Sequence, residues 1–182
     1  MDPKHLPNAL TVIRIFLVPV LVAALSVETR DGDVIAAAVF ALASVTDAVD
    51  GHLARSRGYV TTFGKLMDPI ADKLLVIAAL FALVALDRLE VWVAMVIVSR
   101  ELLVTVTRMA ASAQGVVIAA ATWGKIKTIV QVTTIFLLIA FHTTPWWVTG
   151  LVYLTVAVTI ISGIDYLFVL RRSLRDETEP AR

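Results

Sequence analysis

The chain has 182 residues, 59% hydrophobic and 17% charged, with a mean hydropathy of +0.86 and a formal charge of +1 from 16 Lys+Arg against 15 Asp+Glu. Soluble domains run at about 45–50% apolar and about 25% charged, and one core of this size cannot hide so much apolar surface. Soluble-globular and disordered readings are therefore excluded, the near-neutral charge leaves no footprint for nucleic acid, and the lack of cysteine removes disulfides and thiolate chemistry, leaving oxygen and histidine as metal donors.

A spanning helix needs about 20 mostly apolar residues. Six such windows occur in chain order: Asn8–Val27, Val34–Ala54, Asp68–Leu86, Val91–Ser112, Lys125–Phe141 and Trp147–Leu170. The last two are separated by His142-Thr-Thr-Pro-Trp-Trp147, where a proline and interface-type tryptophans divide one long uncharged run. Arg14 and Pro19 inside the first window argue against a cleaved signal peptide. Residues 1–170 are expected to form one six-helix transmembrane domain, and the polar residues 171–182 a solvated, partly disordered tail.

Six spans put both termini on one side. Lys4, Arg14, Arg55, Arg57, Lys65, Lys125, Lys127, Arg171, Arg172, Arg175 and Arg182 fall on that side. The opposite loops carry Arg30 and Arg88 beside Glu28, Asp31, Asp33, Asp87 and Glu90. The positive-inside rule then makes the termini cytoplasmic and the protein a multi-pass protein of the cell (inner or plasma) membrane.

Charges inside spans are costly, so their positions carry information. Arg14 lies in the first half of span one, Asp47 and Asp50 end span two, and Asp68, Asp72 and Lys73 open span three. Arg100, Glu101 and Arg108 lie in the second half of span four, Lys125 and Lys127 open span five, and Asp165 precedes Arg171 at the end of span six. Because successive helices alternate in direction, all of these fall toward the cytoplasmic leaflet. Asp47 and Asp50 are i, i+3 and Asp68 and Asp72 are i, i+4, so each pair shares a helix face. Four clustered carboxylates repel and take up protons unless balanced; two divalent cations match their charge of −4, and hard oxygen donors suit Mg²⁺ or Mn²⁺. The competing readings are ion pairs with Arg55, Lys65 and Lys73 at the membrane surface, or the proton relay of a small transporter.

These residues form the pattern DxxDGxxAR(x)8GxxxDxxxD, from Asp47 through Gly51, Ala54, Arg55, Gly64 and Asp68 to Asp72. It resembles the signature of the CDP-alcohol phosphatidyltransferase family at all eight fixed positions. Pro7-Asn8 through Thr11 to Arg14, Arg100-Glu101 with Arg108, and Gly124-Lys125-Ile-Lys127-Thr128 through Gln131 resemble its phosphatidylglycerophosphate synthase branch. The resemblance implies an all-α, six-helix membrane enzyme, expected as a homodimer. It implies transfer of a phosphatidyl group from CDP-diacylglycerol, with release of CMP, to sn-glycerol 3-phosphate. It further implies that Asp47, Asp50, Asp68 and Asp72 bind two divalent cations, that Asp72 is the base, and that Gly51, Ala54 and Arg55 border the cytidine nucleotide. Phosphatidylglycerol or an inositol phosphate remains open as the acceptor.

Other residues keep two readings. A guanidinium at Arg55 suits phosphate, although a helix-end arginine also snorkels into water. Arg108, Lys125 and Lys127 suit the acceptor's phosphate, but Arg108 is i, i+7 from Glu101 and the two share a face on which they can pair. Arg100 reads either as a site residue or as a charge between helices. Asn8, Thr11 and Arg14 make a polar stripe facing the nucleotide, with Asn8 equally suited to cap its helix. Gly51 lets backbone approach the nucleotide, Gly64 reads rather as a turn, His52 as a non-ligand, and His5 and His142 as incidental. Trp92, Trp146 and Trp147 read as interfacial anchors.

Overall fold

In a computed structural model the backbone is described over residues 6–57, 62–113 and 122–178, and the side chains over 12–46, 73–112 and 123–171. Among the described residues the chain forms six helices and no strand: α1 (Leu6–Ser26), α2 (Arg30–Arg57), α3 (Thr62–Ala85), α4 (Val91–Ala113), α5 (Thr122–Ala140) and α6 (Trp146–Thr178). Each covers one expected window to within a residue at its end. The helices overrun the apolar windows most at the start of α3, before Asp68, and at the end of α6, where the expected tail continues as helix to Thr178. Apolarity reports where lipid lies, whereas backbone hydrogen bonding lets a helix continue into water.

The stretches Trp123–Ala140 and Trp146–Arg171 are long and apolar enough to cross a membrane, and Val12–Leu25 and Lys73–Ala85 are shorter apolar helices. Every helix also turns large apolar side chains outward: Phe16, Leu42, Phe81, Val106, Ile129 and Phe168 are each more than half exposed. In water such a surface invites aggregation, whereas in a bilayer lipid covers it.

The chain divides into two compact units, Met1–Glu90 with Ile135–Pro145, and Val91–Thr134 with Trp146–Arg182. In the first, α1 packs on both α2 and α3. Ala36, Ala37, Phe40 and Ala43 are buried on one face of α2, with Leu21 and Leu25 of α1 and Leu75, Ala79, Leu80 and Leu83 of α3 also in the core. The small side chains Ala36, Ala37 and Ala43 allow close helix approach.

Two short turns shape one end of this unit. Thr29 caps α2, its Oγ1 accepting the Gly32 N–H at 3.2 Å. A Cβ on Gly32 would lie 2.6 Å from the Ala24 carbonyl oxygen, so glycine is what lets α2 start so close to the end of α1. α3 ends with Asp87 in the left-handed region at φ 54°, the Arg88 N–H bonding the Leu83 carbonyl at 2.9 Å and the Asp87 N–H that of Val84 at 3.1 Å, a Schellman closure. That closure brings Arg88 to Asp33. Two parallel hydrogen bonds join them, Nη1 to Oδ1 at 2.8 Å and Nη2 to Oδ2 at 3.1 Å. His142, read from sequence as incidental, completes the cluster with Nδ1 2.8 Å from Asp33 Oδ2 and 3.1 Å from Arg88 Nη2.

In the second unit α4 packs on α6. Val104 and Ala111 of α4 and Tyr166 of α6 are buried together, with Val169 and Leu170 against them. Trp92 stacks on Tyr153 at 6.3 Å between centroids, and the Thr134 and Thr155 hydroxyls hydrogen bond at 2.7 Å. Thr155 also donates to the Leu151 carbonyl, the usual way a span satisfies a buried hydroxyl.

Candidate active site

The signature falls on two helices of the first unit. Asp47, Asp50, Gly51, Ala54 and Arg55 belong to α2, and Gly64, Asp68 and Asp72 to α3. Both helices are continuous through these positions, so the i, i+3 and i, i+4 spacings keep each aspartate pair on one face. Gly64 lies within α3 and not in a turn. The side chains of the signature residues, and those of Asn8 and Thr11, lie outside the described residues. Arg14 is described: it sits on α1, which packs against both signature helices, and is 4% exposed. A buried guanidinium beside the two helices that bring four carboxylates into this unit is electrostatically consistent.

The basic residues expected at the acceptor's phosphate lie in the second unit, and their environments differ. Lys127 is buried and its ammonium pairs with the Glu101 carboxylate of α4. Arg100 Nη1 lies 3.8 Å from the same carboxylate oxygen. The sequence allowed Glu101 to pair with Arg108 along α4; the structure joins it to Lys127 across to α5. Arg100 has its stem beside α6, where a Cβ on Gly163 would meet its Cγ at 3.5 Å, which favours the inter-helix reading. Lys125, two residues before Lys127, is exposed. Arg108 is exposed too, and its guanidinium lies over the Tyr166 ring, 5.9 Å from the centroid. Tyr166 escaped the sequence reading because a tyrosine in a long apolar run gives no signal of which helix it faces.

The sequence profile of the CDP-alcohol phosphatidyltransferase family matches residues 4–162, most of the chain and all of the signature. The chain belongs to the CDP-alcohol phosphatidyltransferase family. It is an enzyme of this membrane-embedded family, whose members generally depend on divalent cations. A probable phosphatidylglycerophosphate synthase of Mycobacterium tuberculosis is 42% identical over 178 residues, covering 94% of this chain and 83% of that protein. The CDP-diacylglycerol–glycerol-3-phosphate 3-phosphatidyltransferase of Bacillus subtilis is 37% identical, covering 89% and 93%, and that of Haemophilus influenzae 34% identical, covering 96% and 98%. The matched region thus includes the signature positions on α2 and α3.

Proposed function

We propose that the chain transfers the phosphatidyl group of CDP-diacylglycerol to sn-glycerol 3-phosphate, giving phosphatidylglycerol phosphate and CMP. One observation carries this reading: relatives named for that reaction match at 34–42% identity over nearly the whole chain, which has the complete signature in α2 and α3. The acceptor's hydroxyl oxygen bonds to the phosphorus that bears the diacylglycerol, the bond from that phosphorus to the bridging oxygen breaks, and CMP leaves with the electron pair.

Asp72 receives the hydroxyl proton. Four carboxylates from two helices of one unit are the hard-oxygen donor set that Mg²⁺ or Mn²⁺ takes, so Asp47, Asp50, Asp68 and Asp72 are assigned to hold two such cations. When bound, the cations neutralise pyrophosphate oxygens and the charge that builds on the departing nucleotide. Gly51, Ala54 and Arg55, with Asn8, Thr11 and Arg14 of α1, bind the cytidine nucleotide. Arg108 and Lys125, both exposed, take the acceptor's phosphate; Lys127 reaches it only when its pair with Glu101 opens.

The lysine and arginine distribution supports six spans with both termini and the site on the cytoplasmic side. We assign residues 1–170 as the catalytic part, residues 171–182 as a cytoplasmic tail, and a homodimer as the working form in the cell membrane. The lipid substrate explains the location, since its acyl chains stay in the bilayer while its pyrophosphate meets water.

The test is CMP release by purified protein in detergent with CDP-diacylglycerol and Mg²⁺ or Mn²⁺, offering glycerol 3-phosphate, phosphatidylglycerol or inositol phosphate. Release with glycerol 3-phosphate alone, abolished by chelator and by Asp72→Asn, is expected. Release with phosphatidylglycerol alone overturns the acceptor, and full activity of Asp72→Asn overturns the base.

A further inference from the structure

Arg108 differs from Lys125 and Lys127 in what surrounds it. Lys127 is buried against a carboxylate and Lys125 is exposed, whereas the exposed Arg108 lies over the face of a ring that is itself 2% exposed. Tyr166 is fixed from three sides. Val104 and Ala111 of α4 bury it, Val169 and Leu170 of its own helix pack against that group, and its hydroxyl shares a 3.1 Å hydrogen bond with Thr107. The Thr107 hydroxyl also bonds the Leu103 carbonyl at 2.7 Å, which holds it to the α4 backbone. The anchor for the tyrosine hydroxyl and the cation over its ring are therefore consecutive residues of α4.

A free arginine on a helix surface samples many rotamers, and binding an anion must stop that motion. A ring held in place beneath the guanidinium restricts it beforehand. A cation–π contact uses the face of the ring and takes none of the guanidinium's hydrogen bonds to an oxygen acceptor, which stay available to an anion. We propose that Tyr166 is a positioning residue that presents the Arg108 guanidinium to the phosphomonoester of the acceptor substrate. This rests on the assignment of Arg108 under the proposed function. It adds a residue on α6 that the signature does not contain.

Steady-state kinetics with CDP-diacylglycerol and glycerol 3-phosphate test both layers separately. Arg108→Ala is expected to raise the KM for glycerol 3-phosphate while leaving that for CDP-diacylglycerol in place; no rise overturns the assignment of Arg108, and the inference falls with it. Tyr166→Leu is expected to raise the same KM about three- to five-fold in the wild-type background and to add nothing in Arg108→Ala. Tyr166→Phe keeps the ring and is expected to stay within about two-fold. Should Tyr166→Leu not fold, phenylalanines of increasing fluorination at 166 keep the shape and drain the ring face of negative potential. The KM for glycerol 3-phosphate is then expected to climb with fluorine number. If Arg108→Ala raises that KM but the ring series leaves it flat, or moves both substrates' KM values together, Tyr166 is structural only and the inference is overturned.

Discussion

Asp33 with Arg88 and His142, and Glu101 with Lys127, are both carboxylates answered by cations, but they differ in what they join. The first joins the start of α2, the turn after α3 and the segment after α5, and its imidazole is 52% exposed. The second lies within the apolar run of α4 with side chains 8% and 3% exposed. In the first, the Asp33 and Arg88 side chains are 1% and 8% exposed and the imidazole alone of the three meets water, so the cluster ties chain segments together through a carboxylate at least as buried as Glu101. In the second, the two charges sit on two helices, α4 and α5, and each offsets part of the desolvation of the other. The difference teaches that one kind of contact fastens turns together in one unit and pairs two helices in the other.

Removing one member of the inner pair is therefore expected to do the most damage. Glu101→Ala takes the carboxylate away from the buried Lys127 ammonium, at a cost of about 3–5 kcal/mol, while Glu101→Leu with Lys127→Met should recover most of that loss. Thermal unfolding in detergent checks it; a double variant as unstable as the single one would show that the pair does more than neutralise itself.

Breaking the outer cluster is expected to cost less, about 2–3 kcal/mol for Asp33→Asn, since the amide oxygen still accepts from Arg88 and the imidazole meets water. The pH dependence has a defined sign. Burial by itself pushes the Asp33 carboxyl up, but hydrogen bonds from Arg88 and His142 and their charges outweigh it and hold the group below its ordinary 3.8. The folded value is depressed, so this stabilisation is present above the ordinary value and is lost as pH falls through the lowered one. The melting temperature of the parent should decline through that acid range more steeply than that of Asp33→Asn. Parallel curves would mean that another carboxylate governs acid unfolding.

The smallest effect expected is a gain. Asp87 holds a positive φ of 54° where glycine is unstrained, so Asp87→Gly should stabilise by about 0.5–1 kcal/mol if the turn alone matters. A loss instead would mean that the Asp87 side chain supports Arg88, which would sharpen the account of the outer cluster.

Much of this architecture was legible beforehand because bilayer physics writes itself into local sequence. Six apolar windows became six helices among the described residues. The eight signature positions spoke through spacing, which the continuity of α2 and α3 preserves. The partners of isolated polar residues were not legible. Glu101 had a basic neighbour at Arg100 and another on its own face at Arg108, and it pairs with Lys127, 26 positions along. His142 had no local companion at all and bonds a residue 109 positions away. The length of α6 was missed because hydropathy falls at Arg171 while helix hydrogen bonds continue.

The sequence by itself determined the class of environment, the number and order of helices and the family chemistry. Those follow from apolar length, charge placement and residue spacing, all local quantities. Only the tertiary structure decided that Lys127 is closed against Glu101, that Arg108 lies over a buried tyrosine, and that Asp33, Arg88 and His142 meet. Each of those depends on the rotation and depth at which one helix lies against another, which is set by the packing of whole faces, and no short stretch of sequence encodes it.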